Sequence, residues 1–189
     1  RQNINTKIIA ITGSCGKTTV KELLGNSLNK ISSVSISPKS YNNKYGVPLS
    51  LFNLKQNDEF GVFEVGMDKK GEIDDLTKIV KPDLGIITNI SYAHSKNFNN
   101  IQQIAKAKAE IMNNIKKKGK IILNMDDQFY KYHKNIAKKK KLKVISFGIR
   151  NKSSMIKLDK IKKINNKYEV FINVDGLTLS FYSTNDNKS

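Results

Sequence analysis

The chain has 189 residues, of which 38% are hydrophobic, which predicts one large domain, or a domain with a small appendage, and excludes global disorder. Its formal net charge is +18, and no apolar run approaches the length of a membrane span. No signal-peptide pattern opens the chain, and the lone Cys15 excludes an internal disulfide, so we expect a cytoplasmic location.

The positive charge is not of the kind that indicates nucleic acid binding. Arginine occurs only at Arg1 and Arg150, whereas proteins that read phosphates and bases usually rely on arginine for bidentate contacts. The lysines crowd into segments 116–118, 138–141 and 157–167. Such segments typically mark solvated helix ends and strand edges, so we expect no nucleic acid partner.

The predicted strands and helices alternate from residue 7 to residue 147. Short apolar runs bounded by turn residues indicate the strands, and apolar residues at helical spacing indicate the helices. In chain order the predicted elements are strand 7–12, helix 18–29, strand 33–36, loop 37–45, helix 47–54, strand 60–65, helix 73–80, strand 84–88, helix 100–115, strand 120–124, helix 127–138 and strand 143–147. This order predicts an α/β fold with a mostly parallel sheet and helices on both faces.

The pattern changes after Gly148. Segments 154–160, 168–173 and 177–182 read as antiparallel strands, and Val174-Asp175-Gly176 reads as a turn between the last two. We therefore predict an α/β domain over residues 1–150 and a small antiparallel β extension over residues 151–189.

The strongest chemical signal lies between the first strand and the first helix. It reads Thr12-Gly13-Ser14-Cys15-Gly16-Lys17-Thr18-Thr19. A glycine loop in this position lets backbone N–H groups approach nucleotide phosphates, while the lysine supplies charge and a hydroxyl can bind Mg²⁺. The loop is shorter than the usual pattern, because Ile11 stands where GxxxxGK[ST] has its first glycine. The flanking strand and helix favour a P-loop-type nucleotide site over a glycine turn beside a surface lysine.

Polar side chains lie at the ends of several other predicted strands or shortly after them, namely Glu64, Asn89, His94 and Asn124. Because the carboxyl ends of parallel strands share one edge, we expect these residues and the glycine loop to form a metal-nucleotide site. A strand-end salt bridge for Glu64 and a purely structural role for His94 are the alternatives. His133 has only a lysine- and tyrosine-rich helix around it and is predicted to lie at the surface.

Lys108 lies in an apolar stripe on predicted helix 100–115. The stripe consists of Ile101, Ile104, Ala105, Ile111, Met112 and Ile115. Position 108 completes this stripe at helical spacing, whereas Lys106 lies off it. A lysine that faces inward either snorkels to solvent or performs chemistry, because desolvation makes its amine reactive, including toward carbon dioxide. The pattern alone favours snorkelling.

Six segments occur in the order in which they are found in the Mur ligases. They are residues 12–19, Tyr41-Asn42-Asn43-Lys44-Tyr45-Gly46-Val47-Pro48, Glu64-Val65-Gly66, Asn89-Ile90-Ser91-Tyr92-Ala93-His94, Ala105-Lys106-Ala107-Lys108-Ala109-Glu110-Ile111 and Asn124-Met125-Asp126-Asp127. The short TGxxGKT loop is also the form that this family uses. The chain thus resembles the Mur ligases over about residues 7–127. The second and fifth segments are most similar to the members that add D-Ala-D-Ala to UDP-MurNAc-tripeptide.

The resemblance implies a role for each matching residue. The implied ATP contacts are Gly13, Ser14, Cys15, Gly16, Lys17, Thr18, Thr19, Asn89 and Asn124, the last of these near the adenine. The implied Mg²⁺ ligands are Thr18, Glu64, His94 and Lys108. The last of these matches the carbamylated lysine of the family. The implied catalytic residues are Lys17, His94 and Lys108. Asn42 and Asn43 are implied to face the muramoyl-peptide substrate. Cys15, Lys44 and Lys96 depart from the residues common at these positions.

The resemblance also implies an ATP-dependent ligase of peptidoglycan precursor synthesis. In the implied reaction the substrate carboxylate attacks the γ-phosphate to give an acyl phosphate, and the amine of D-Ala-D-Ala then displaces phosphate. The family has three domains. On this basis the chain is expected to be the central ATP-binding domain without the N-terminal UDP-binding and C-terminal domains, monomeric, and inactive alone.

Two other functions are retained as alternatives. One is a sister ligase of the same superfamily, either another Mur ligase or a folylpolyglutamate synthetase, although the Asn42-Asn43 segment disfavours it. The other is a basic nucleic-acid-binding module with an incidental glycine loop, which steeply salt-dependent DNA binding would reveal.

Overall fold

The computed structural model describes residues 5–92 and 97–183, which contain five α-helices and nine strands of one sheet. In chain order these elements are β1 (Lys7–Thr12), α1 (Lys17–Leu28), β2 (Val34–Ile36), α2 (Gly46–Phe52), β3 (Phe60–Glu64), α3 (Glu72–Val80), β4 (Leu84–Ile87), α4 (Ile101–Ala109), β5 (Lys120–Asn124), α5 (Tyr130–Lys139), β6 (Lys143–Gly148), β7 (Ile156–Ile164), β8 (Lys167–Val174) and β9 (Leu177–Ser183).

The strands lie in the order β2-β3-β1-β4-β5-β6-β7-β8-β9. Neighbours from β2 to β7 are parallel, whereas β7, β8 and β9 pair antiparallel. This arrangement confirms the predicted mostly parallel sheet with an antiparallel extension. It also brings the carboxyl ends of β1, β3, β4 and β5 to one edge, where ligands of such sheets bind.

Both faces of the parallel sheet are covered, which explains why β1 is a continuous apolar run. Ile8 and Ala10 point into a core shared with α3 and α4. Ile9 and Ile11 point the other way, into a smaller core against which α1 packs its apolar side chains. A strand buried on both faces has no need of alternating polar residues.

Two helices differ from their predicted bounds by more than two residues at one end. Predicted helix 100–115 is α-helical only to Ala109 and continues as a 3-10 helix over Glu110–Asn113, a frequent form of helix ending. Predicted helix 127–138 begins instead at Tyr130. The reason is local: Asp127 Oδ1 accepts the N–H of Phe129 at 2.8 Å, which holds a side-chain turn where the first helical residues were expected.

The prediction that His133 lies at the surface is wrong. Its side chain is buried on α5, and its Nε2 lies 3.0 Å from the carbonyl oxygen of Ala105 on α4. Burial lowers the pKa of the imidazole. The histidine therefore joins two helices on the core side of the sheet.

The surface is rich in lysine, as predicted for the segments at 116–118 and 138–141, which are exposed. Among the residues that the structure describes, no helix combines the length and the apolar character needed to cross a membrane.

Candidate functional site

The glycine loop joins β1 to α1 and is held from the β4 side. The N–H groups of Ser14 and Cys15 donate to the backbone oxygen and to Oδ1 of Asn89, at 2.9 and 3.0 Å. Thr88 Oγ1 donates to the carbonyl oxygen of Cys15 at 2.6 Å. Asn89 is thus placed beside the loop as its support, and the loop is fixed in shape by two residues that follow β4.

Two glycines give the loop its form for different reasons. Gly13 has φ +147°, and a Cβ there would lie 1.9 Å from Thr88 Oγ1. Gly16 has φ +77°, and a Cβ there would meet no atom within 4 Å. Gly13 therefore allows close packing against β4, whereas Gly16 borders open space at the start of α1. Because α1 begins at Lys17, its first N–H groups lack helical acceptors and suit an anion in that space.

We predict that Gly13→Ala lowers the free energy of unfolding by about 2 kcal/mol or more, because the added methyl displaces Thr88 from Cys15. Gly16→Ala is the matched control. It carries only the strain of a positive φ, about 1 kcal/mol. Urea unfolding of both variants measures the difference, and equal losses would show that the contact with Thr88 is unimportant.

Lys17 folds back over the loop that it follows. Its Nζ donates to the carbonyl oxygens of Gly13 and Ser14, at 3.0 and 3.4 Å. The ammonium group therefore lies at the loop itself, where it would neutralise the charge of a bound phosphate.

Glu64 ends β3 and is 1% exposed. Its Oε2 accepts a hydrogen bond from the hydroxyl of Thr18 at 2.7 Å, and its Oε1 accepts one from Nδ2 of Asn42 at the same distance. A salt bridge was the alternative for this carboxylate, but the two partners resolved here are neutral donors. Glu64 instead links the phosphate-loop helix to the loop that carries Asn42.

Asn42 and Asn43 lie on the segment between β2 and α2. The backbone oxygen of Asn42 accepts the N–H of Gly66 at 2.7 Å, and Oδ1 of Asn43 accepts the N–H groups of Tyr45 and Gly46, both at 3.0 Å. The side chain of Asn43 thereby stabilises the turn that leads into α2.

A cavity of about 380 Å³ lies beside these residues. Lys17, Lys108, Asn42 and Asn43 line it together with the two residues that precede α2, with residues of α3 and with the loop after β3. The structure therefore brings the predicted loop lysine, the helix lysine and the asparagine pair to one space at the carboxyl edge of the sheet.

Lys108 is 1% exposed, so the snorkelling interpretation favoured by the pattern is wrong. Its Nζ donates to the carbonyl oxygen of Gly13 at 2.9 Å. Burial, and to a smaller extent the charge of Lys17, lowers the pKa of this lysine to about 7. Its amine is therefore available in the neutral form near physiological pH. Lys106 is exposed, as the stripe predicts.

Asn124 lies at the same edge but beside a different and smaller cavity. Its Nδ2 is 3.5 Å from the carbonyl oxygen of Thr88, and its Oδ1 accepts the N–H of Asp126 at 2.9 Å. Asn89 shares that cavity, whose volume is about 10 Å³. Asn124 therefore lies near Thr88 and Asn89, the residues that hold the glycine loop, but it does not line the larger cavity. His94 lies outside the described residues.

The sequence relatives agree on one family. A profile of the Mur ligase middle domain matches residues 11–184. The chain belongs to the Mur ligase family. The UDP-N-acetylmuramoyl-tripeptide–D-alanyl-D-alanine ligase of Buchnera aphidicola subsp. Acyrthosiphon pisum is 39% identical over 153 residues, which are 80% of this chain and 33% of that protein. The chain therefore spans about one third of the length of this Mur ligase.

Solved Mur ligase structures share the fold. MurF from Acinetobacter baumannii superposes with a TM-score of 0.88 and 31% identity, over 97% of this chain and 39% of that one. MurF from Thermotoga maritima in complex with ADP gives a TM-score of 0.82 and 25% identity, over 96% and 41%. These matches confirm the resemblance on which the sequence interpretation rests.

The donors at this Mur ligase site fit Mg²⁺. Within residues 5–92 and 97–183, no three His, Cys, Asp or Glu side chains group in a way that could hold a metal ion. Mg²⁺ does not need such a group, because it is usually held by one or two carboxylates together with substrate phosphates and water. Glu64 and Thr18 offer a carboxylate and a hydroxyl in contact with each other beside the phosphate loop.

One residue of this edge escapes the sequence prediction. Lys21, on α1, is completely buried and donates to two backbone carbonyls of the segment before Asn42. The only hint is Gly25, one turn later, where a Cβ would lie 2.3 Å from the side chain of Ile36. A glycine in the middle of a helix indicates close packing of that helix face, and Lys21 lies on the same face as Gly25.

Proposed function

We propose that this chain is the ATP-binding part of a ligase that joins D-Ala-D-Ala to UDP-MurNAc-tripeptide in peptidoglycan precursor synthesis. The observation that carries the proposal is the contact of Glu64 with both Thr18 and Asn42. One buried carboxylate thereby connects a phosphate loop to a loop that lines an open cavity. The names of the relatives supply the substrates, and the loop, the cavity and the buried lysine supply the chemistry.

ATP with Mg²⁺, when bound, supplies the phosphoryl group that activates a carboxylate for amide formation. We assign the phosphates to Gly13, Ser14, Cys15, Gly16, Lys17, Thr18 and Thr19. Lys17 neutralises phosphate charge from a position that it already holds over the loop. Such reactions depend mainly on positioning and charge neutralisation, which rigid loops and fixed charges provide.

We assign Mg²⁺ to Thr18, Glu64, His94 and a carbamylated Lys108. The neutral amine of Lys108 favours the modification, since its nitrogen can form a bond to the carbon of CO₂ and release a proton to solvent. Asn42 and Asn43 are assigned to the muramoyl-peptide, which the cavity beside them supports. Asn89 holds the loop, and Asn124 is assigned to the adenine side.

The proposal extends to the organisation of the protein. Residues 1–150 form the ATP-binding unit and residues 151–189 its β extension, while other domains provide the UDP site and the closing surface over ATP. We also propose that the protein is a monomer in the cytoplasm, and the single cysteine suits that reducing compartment. Sedimentation of the intact protein as a dimer would contradict the proposal that it is a monomer.

The test is a ligase assay of the intact protein that contains this chain. Phosphate release is measured with ATP, Mg²⁺, UDP-MurNAc-tripeptide and D-Ala-D-Ala, and then with each substrate omitted. We expect release only in the complete mixture. Release with a single amino acid and a shorter UDP-MurNAc-peptide would identify another Mur ligase, and release with folate and glutamate a folylpolyglutamate synthetase. DNA binding without turnover would favour the nucleic acid alternative.

A further inference from the structure

Lys21 is a lysine with no exposed surface, in a position where a ligand cannot reach it. It lies on α1, one turn after Lys17, and is 0% exposed. Burying an ammonium group is unfavourable unless hydrogen bonds and charge compensate for the lost water. An apolar side chain of similar length would fill the same space without this cost. The role of the ammonium group must therefore lie in the groups to which it binds.

Those partners belong to the segment that leads to the asparagine pair. Nζ of Lys21 donates to the carbonyl oxygen of Ser37 at 2.7 Å and also to that of Lys39. Its charge is compensated by the half-exposed carboxylate of Glu22, whose Oε1 is 3.1 Å away. A single ammonium group therefore ties two carbonyls of a loop to the helix that starts at the phosphate loop.

The tied segment continues directly into Asn42. Lys39 has φ +44°, a left-handed conformation that turns the chain. Three residues later, the side chain of Asn42 reaches Glu64 and its backbone oxygen accepts the N–H of Gly66. Ser37 also contacts the strand, since its Oγ accepts the N–H of Glu64 at 3.2 Å. The loop is thus held at two points. Lys21 binds it before the asparagine pair, and Glu64 of β3 binds it at Asn42.

We propose that Lys21 is a positioning residue that fixes the loop 37–45 on α1, so that Asn42 and Asn43 face the muramoyl-peptide. This inference rests on the function proposed above. It predicts a selective effect, because the ammonium group holds the substrate loop and not the glycine loop, which is supported separately by Thr88 and Asn89. Loss of the ammonium group should therefore affect the sugar-nucleotide substrate more than ATP.

The test variant is Lys21→Met in the intact protein, with Lys30→Met, at an exposed lysine, as the matched control. We expect kcat/KM for UDP-MurNAc-tripeptide to fall about tenfold or more, since small misplacement of a positioning group has large effects. The KM for ATP should change less than about twofold. Equal losses for both substrates would overturn the proposal, because they would indicate general damage to the fold.

Hydrogen exchange of the same proteins tests the anchoring without any assay of activity. Amides in peptides covering 38–45 should exchange faster in Lys21→Met, while those covering 13–17 keep their rates. Unchanged exchange over 38–45 overturns the proposal. If the wild-type protein shows no ligase turnover, the proposed function fails, whereas this comparison still decides whether Lys21 anchors the loop.

A second variant covers the case in which Lys21→Met does not fold. Lys39→Val changes an exposed residue and leaves the buried ammonium group in place. A β-branched side chain strongly disfavours the left-handed conformation at this position and should move the accepting carbonyl. The same faster exchange over 38–45 is expected, and unchanged exchange overturns the proposal.

Discussion

Lys17→Ala is expected to weaken binding of Mg·ATP about 100-fold or more. The Nζ of Lys17 lies 3.0 Å from the carbonyl oxygen of Gly13, directly over the loop that surrounds the phosphates in our proposal. Removing a charged donor from a phosphate site leaves phosphate charge without its partner, and a 100-fold change corresponds to about 2.7 kcal/mol. Titration calorimetry of the intact protein with ATP, with and without Mg²⁺, measures the loss.

The control for this prediction is Lys30→Ala, which removes the same charge from an exposed position. That variant should bind Mg·ATP as the wild type does, because an exposed charge is screened and remote from the loop. Thermal unfolding of both variants verifies that they are folded. Wild-type affinity in Lys17→Ala would contradict the assignment of the glycine loop to the nucleotide.

The parts of this fold that the sequence predicts are those that depend on local pattern. The alternation of apolar runs and helical stripes locates the parallel strands and most helices, since each signal lies within its own element. The glycine loop is equally local: Gly13, Gly16 and Lys17 stand in a fixed spacing between a strand and a helix. The common edge of the strand ends follows from the same pattern, because an alternation of strands and helices predicts parallel strands, whose carboxyl ends share one edge.

The parts that the sequence does not predict depend on partners far along the chain. Lys21 looks like an ordinary helix lysine until the carbonyls of Ser37 and Lys39 are known to meet it, 16 and 18 residues later. His133 is buried, and its Nε2 contacts the carbonyl oxygen of Ala105, which lies 28 residues away in the sequence. Periodicity contains no information about such contacts, so polar residues on core-facing stripes read as surface residues.

Lys108 lies between these two cases. The helical stripe correctly separates it from Lys106, but the pattern favours snorkelling because it cannot show that the nearest acceptor is the Gly13 carbonyl inside the site. Among the described residues, no carboxylate is recorded in contact with Nζ of Lys108, and burial lowers the pKa of this lysine, which favours the neutral amine.

In the proposed ligase reaction, Lys108→Ala is accordingly expected to lower kcat of the intact protein about 100-fold or more, whereas Lys106→Ala leaves it nearly unchanged. In our proposal Lys108 provides a carbamate oxygen to Mg²⁺, and single groups that stabilise developing charge are worth factors of this size. Lys106 is the matched control because it is the same residue type on the same helix but exposed. Steady-state phosphate release measures both variants.

The modification itself can be detected directly. Carbamate formation needs the neutral amine, and the pKa of Lys108 is lowered to about 7, so the modified fraction should rise as the pH increases through 7 and fall below it. With ¹³C-bicarbonate at pH 8, a carbamate carbon resonance should appear in the wild type and in Lys106→Ala and be missing in Lys108→Ala. A wild-type protein without this resonance at pH 8 would exclude the carbamate, and full activity of Lys108→Ala would exclude any catalytic role for the residue.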